Sequence, residues 1–184
     1  MEEKGLWHYF EKWQKLSHGR DPLKWLGSRM ENAWCAECGF CCGKQDNPEP
    51  FPMALLPSQI GPETPNDFHM LSPDTAGLGA EGCKSLGSRG CRLPHAKRPV
   101  ACGLFPIVLA NGGLHLYQIC PAAMFLPLAH FYKLAKETAE YLDGFSLEEL
   151  RHLSISLSDR TLMDKYINLH ARLFDGEGKK LLFE

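Results

Sequence analysis

The stretch Cys35-Ala-Glu-Cys38-Gly-Phe-Cys41-Cys42 sets four thiols within eight residues, and no other feature limits so tightly what the chain can become. A C-x2-C turn brings two sulfurs to one side of a tight loop, where soft donors suit zinc or iron. Cys41 extends the loop by a second C-x2-C step. Cys35, Cys38 and Cys41 therefore match the first part of the pattern that holds a [4Fe-4S] cluster, which a remote cysteine completes. Four further cysteines follow at Cys83, Cys91, Cys102 and Cys120, spaced C-x7-C-x10-C-x17-C.

All eight are candidate metal ligands. A tetrahedral zinc or a single cubane takes four thiolates, so eight can fill two sites, or one site with four to spare. Adjacent side chains tend to diverge, which predicts that Cys41 and Cys42 face different metals or different parts of one centre. His69, His95 and His115 could serve as substitute ligands, but their spacing adds no support. Inert core cysteines account for one or two buried thiols, not for four in one short loop with Gly39 and Gly43 between them. Disulfides fit poorly, because vicinal cysteines pair only with strain and because clustered thiols in a reducing compartment more often bind metal.

The reducing compartment is itself an expectation. The first residues, Met-Glu-Glu-Lys-Gly-Leu-Trp-His, lack the basic-then-apolar order of a secretory leader, and no apolar run reaches the length of a membrane span. The sequence thus reads as cytoplasmic. A net charge of -2 and a pI of about 6.4 give no polycationic footprint for nucleic acid or an anionic membrane.

The length of 184 residues, 44% of them apolar, fits one domain with a core of its own. The expected fold is α+β and mostly helical. Helices at both ends (residues 1–33 and 123–184) flank an irregular cysteine-rich region at 34–122 that carries a small β-hairpin. Leu6, Phe10, Trp13 and Leu16 recur at helical period over residues 3–16. Asp21-Pro22 then starts a second helix with Leu23, Leu26, Met30 and Ala33 on one face. Seven of the thirteen prolines fall in residues 44–82, which predicts a long connection with a short helical turn near Leu55 to Ile60. Two apolar runs around Asn111-Gly112-Gly113 predict a hairpin that delivers Cys120. Leu128, Phe131, Ala135, Ala139 and Leu142 predict a helix, and Ser146 with Glu149 a capping box whose Phe145 and Leu150 form a staple. Leu162, Tyr166, Leu169 and Leu173 predict a last helix.

The cysteine segments resemble the YkgJ-like cysteine-cluster family, a zinc- or iron-chelating domain with a CxxCxxCC signature. The resemblance runs from Cys35–Cys42 through Cys83 with Leu86, Gly90-Cys91, Arg98-Pro99 with Cys102, and Phe105-Pro106, to Cys120. It spans about half the chain. Gly103 stands where members often carry a basic residue, and Leu93-Pro94 where an aromatic is common. The resemblance implies a cysteine-bound metal centre, iron–sulfur or zinc. A related cluster accompanies methyl transfer in the flagellin lysine methylase.

Three functions follow as expectations. The first is an iron–sulfur protein with an electron-transfer or redox role, the cofactor being a [4Fe-4S] cluster. The second is a structural zinc module that pins the proline-rich connection, with a protein partner met by the aromatic N-terminal helices through Trp7, Trp13, Trp25 and Trp34. The third is an accessory domain of a methyl-transfer enzyme. No dinucleotide fingerprint, P-loop or nucleophile elbow is found, and no residue is assigned a catalytic role. Arg98 has two readings: its guanidinium raises the potential of a nearby cluster, or Arg98-Pro99 only fixes an extended turn before Cys102.

Overall fold

The computed structural model describes residues 23–32, 38–45, 49–124 and 126–183. The helix expected over residues 3–16 lies outside them, as do Trp7, Trp13 and Trp34. Helix and strand occur in near-equal shares, and the strands form four sheets among the described residues. The expectation of a mostly helical chain with helices at both ends is therefore corrected at each end.

At the N-terminal side, β1 (Leu23–Trp25) pairs antiparallel with β2 (Met30–Asn32) where a helix was expected. The deciding residue is Gly27, at φ 69° in the turn between them; that conformation breaks a helix and costs glycine nothing. Leu23 and Met30 still point into the core, because the apolar spacing serves a hairpin as well as a helix. Trp25 stacks on Tyr141 with ring centroids 5.5 Å apart, so it packs inward on a strand.

Residues 49–82 hold a small sheet rather than a bare connection. Strands β3 (Phe51–Ala54), β4 (His69–Ser72) and β5 (Thr75–Leu78) align antiparallel in the order β3-β5-β4. A short helix α1 (Thr64–Asp67) and a 3-10 turn at Pro57–Gln59 lie between β3 and β4; the latter is the expected helical turn. Met53, Leu55, Phe68, Ala76 and Leu93 make a core for this unit. The prolines fit because they occupy turns and an edge strand: Pro52 lies in β3, which pairs on one side only. Next come β6 (Leu86–Gly87), β7 (Gly90–Cys91) and helix α2 (Val100–Leu104).

The expected hairpin is present as β8 (Ile107–Ala110) and β9 (Gly113–Tyr117). Asn111 at φ 49° and Gly112 at φ 76° form its turn, as the Asn-Gly signal requires. Helix α3 (Leu128–Leu142) follows, with Phe131, Leu134, Ala135 and Ala139 buried on one face. Helix α4 (Leu147–Leu153) has its capping box: Ser146 Oγ accepts from the Glu149 N–H, and Glu149 accepts from the Ser146 N–H.

After α5 (Asp159–Lys165) the chain turns to strand. β10 (Tyr166–Phe174) and β11 (Lys179–Phe183) complete a sheet of order β11-β10-β9-β8. The expected last helix is corrected here. Leu169, Ala171 and Leu173 are buried while His170 and Arg172 between them are exposed, a period of two. The free edge of β9 supplies the hydrogen bonds that strand requires. α3 packs across this sheet, and the largest core cluster joins it to β1, β8, β9 and β10. No helix among the described residues is long and apolar enough to cross a membrane.

Candidate metal centre

The loop at residues 38–45 is held by backbone and side-chain hydrogen bonds, with Cys38 at its start packed against the main core. Gly39 adopts φ 58°, and its carbonyl accepts the Gly43 N–H at 2.8 Å. The Gln45 amide closes the loop from one side, donating to the carbonyls of Phe40 at 2.9 Å and Gly43 at 3.1 Å. The Cys83 N–H donates to the Cys42 carbonyl at 2.9 Å, which ties two cysteine segments together.

Beyond Cys83 the chain turns back on itself. Leu86 donates to the Cys83 carbonyl and pairs with Cys91 across the β6–β7 hairpin. Buried Ser85 anchors this hairpin through its hydroxyl to the Asp67 carbonyl at 2.8 Å. Cys91 packs against the core of the small sheet. Cys102, on α2, brings its sulfur within 3.7 Å of the Met53 sulfur in the same core. Arg98 stands between: its Nε donates to the Leu93 carbonyl at 2.9 Å, and its own carbonyl accepts from the Gln59 amide.

Electrostatics group the thiols. Burial, then the sulfurs of Cys42, Cys83 and Cys91, push the Cys102 thiol up, against the pull of Arg98. Cys102 keeps exposed surface as a residue, while its thiol is enclosed by protein. Burial raises Cys83 too, with Cys42 and Cys91 adding to the rise. Cys42 moves the other way, to about 7, because the Cys41 thiol hydrogen-bonds to it and Arg98 favours its thiolate, outweighing burial. Cys42, Cys83, Cys91 and Cys102 thus influence one another, and Arg98 acts on Cys42 and Cys102.

Cys38 and Cys120 belong elsewhere. Cys120 is 5% exposed within the largest core cluster, and Cys38 packs against that cluster. Burial pushes Cys120 up to about 12, with Cys38 contributing. Tyr117 is raised by burial, then by Cys120 and Cys41. The Cys41 and Cys42 sulfurs lie 3.9 Å apart, so the adjacent side chains do not splay widely, although their other neighbours differ. Cys35 lies outside the described residues.

No disulfide joins two of the seven described cysteines. Among the described residues, no three Cys, His, Asp or Glu side chains stand close enough to hold a single metal ion. Among the histidines, His95 is lowered by burial, then by Arg29 and Arg98, and its Nε2 is buried with no hydrogen-bond partner among the described residues. His69 lies on β4 and His115 on β9, where burial lowers it. Met53, beside Cys102, and Gln45, which braces the cysteine loop, were not legible in the sequence. Both fall in the segment whose prolines suggested an unstructured connection. Comparison of the chain with protein-family models, curated proteins and solved structures yields no match.

The donor chemistry fits a cationic metal centre. Gathered thiols resist ionising together because each thiolate repels the next; a bound cation reverses that balance and deprotonates them. The guanidinium of Arg98 offsets the negative charge that a thiolate-rich centre keeps.

Proposed function

We propose that this chain is a cysteine-ligated metal protein of the YkgJ-like kind, carrying an iron–sulfur centre with an electron-transfer or redox role. The reading is supported by the mutual influence of Cys42, Cys83, Cys91 and Cys102 on thiol ionisation, with Arg98 acting on Cys42 and Cys102, and by the backbone bond that joins Cys83 to Cys42. Cys42 comes from the glycine-rich loop, Cys83 and Cys91 from one hairpin, and Cys102 from α2. Such assembly from distant positions has no packing purpose that small hydrophobes would not serve better.

When bound, an iron–sulfur cluster supplies one-electron chemistry. The chain's own contribution is local. The backbone bonds at residues 38–45 and the Cys83-to-Cys42 bond hold the thiol-bearing loops in register. Arg98 favours the reduced, more negative state.

The test is purification without oxygen, followed by metal analysis and a visible spectrum. A brown protein containing iron and sulfide that bleaches with a reductant is the expected result. Colourless protein with stoichiometric zinc replaces the redox reading with a structural one. Protein without metal refutes both.

A further inference from the structure

We propose that the β6–β7 hairpin and the turn after it form a docking surface for the acidic face of a protein partner. The charge of this surface does not depend on metal. Only a role in passing electrons to that partner rests on the reading above.

The net charge of -2 conceals a strong asymmetry. Residues 82–136 hold seven of the twenty Lys and Arg and none of the twenty-two Asp and Glu. Five of those cations, Lys84, Arg89, Arg92, Lys97 and Arg98, fall within residues 84–98. Arg98 is half-buried and held by its Nε to the Leu93 carbonyl. The other four are exposed.

The fold gathers them. β6 and β7 pair across a tight turn that carries Arg89. Arg92 Nη2 donates to the Lys84 carbonyl at 2.7 Å, and the Arg92 N–H to the Ser85 carbonyl at 2.9 Å. Lys97 sits in the 3-10 turn His95–Lys97 that follows. Gly82 lies close to the backbone of Gly43 and Lys44, which brings the exposed Lys44 alongside. Among the described residues no ion pair neutralises any of these five, whereas Lys179 and Lys180 are paired with Asp143 and Asp175. Like charges gathered without a counter-charge repel one another, and an acidic partner relieves that repulsion on binding.

The composition of the surface selects the occupant. Residues 82–98 contain no Phe, Tyr or Trp, so bases of a single-stranded nucleic acid find no ring to stack on. None of the exposed large hydrophobic residues falls there, so the surface has no apolar face to bury in a lipid bilayer. A net negative chain is repelled by a long polyanion, while a local basic patch turns towards the acidic patch of another folded protein.

The intact chain is titrated by fluorescence anisotropy against a labelled oligo-glutamate peptide and a labelled oligo-thymidylate of equal charge. The expected result is saturable oligo-glutamate binding that weakens as salt rises, with oligo-thymidylate bound no more tightly. Arg89→Glu with Lys97→Glu lowers oligo-glutamate affinity by about tenfold or more. No hydrogen bond or ion pair among the described residues uses either side chain, so Tm is unchanged. Lys44→Glu alone acts in the same direction. Lys133→Glu with Lys136→Glu, exposed on α3, makes the same change in net charge and leaves the affinity little altered. An equal loss in both double variants overturns the surface, as does wild type that does not bind oligo-glutamate. Tighter binding of oligo-thymidylate, or of phosphatidylserine vesicles, overturns the assignment of a protein partner. Wild type that carries no metal yet binds oligo-glutamate as described overturns the proposed function and leaves the docking surface standing.

Discussion

Gly82 is the residue on which the joining of the two cysteine-bearing segments depends most directly. It holds φ 73°, and a Cβ built on it would stand 3.0 Å from the Gly43 carbonyl carbon, 3.1 Å from its oxygen and 3.1 Å from the Lys44 nitrogen. All three are backbone atoms, so no flexible side chain can yield. Gly82→Ala therefore combines a left-handed penalty of about 1–2 kcal/mol with an overpacking cost of about 1–3 kcal/mol. The sum is about 2–5 kcal/mol, which for a chain of this size lowers Tm by about 4–20 °C. Relief of the clash must push residues 43–44 away and stretch the 2.9 Å bond between Cys83 and Cys42, so metal content falls as well. Gly61→Ala is the control: its Cβ would meet nothing within 4 Å. Thermal unfolding and metal analysis of both variants, prepared alike, provide the test. If Gly82→Ala matches Gly61→Ala in Tm and in metal per chain, the close approach of these segments is not what assembles the centre.

Other expected outcomes are simpler. Arg98→Gln removes the charge that helps hold Cys42 near 7, so in metal-free protein the pH midpoint for Cys42 alkylation moves upward; an unmoved midpoint removes Arg98 from the site. Phe131→Ala, at a position 1% exposed in the main core, costs about 3–5 kcal/mol in denaturant unfolding. Ser146→Ala removes the cap of α4 at a cost of about 1 kcal/mol. Glu149, in the same box, has its carboxyl held below the usual range by the Ser146 N–H and hydroxyl. Its stabilising contribution is therefore present above the ordinary glutamate range near pH ~4.3 and fades as pH falls through the lowered value. Wild type and Glu149→Gln unfold at converging temperatures below that range, and a difference that persists there refutes the linkage.

The elements legible in the sequence are those whose signal is local. The Asn111-Gly112 turn demands positive φ, the Ser146–Glu149 box satisfies orphan helix donors, and α3 carries a long uninterrupted apolar face. The errors fall where one spacing serves two structures. Leu23, Leu26 and Met30 suit a helix, but Gly27 between them turns the chain into a hairpin. Tyr166, Leu169 and Leu173 suit a helix too, until β9 offers them an edge. The proline-rich segment gained its sheet through partners distant in sequence, including Leu93 from beyond the second cysteine cluster.

The candidate site divides the same way. Residue type and spacing determined by themselves that Cys35, Cys38, Cys41, Cys42, Cys83, Cys91, Cys102 and Cys120 are soft donors, and that the first four fall within eight residues. Only the tertiary structure decided the surroundings of the described thiols: Cys83 bonded to the Cys42 carbonyl, Cys102 against Met53, and Cys38 packed on the same core as Cys120. The physical reason is range. Thiol chemistry and short-loop geometry belong to a few consecutive residues, whereas proximity across tens of residues is set by which hydrophobic cluster each segment is buried against.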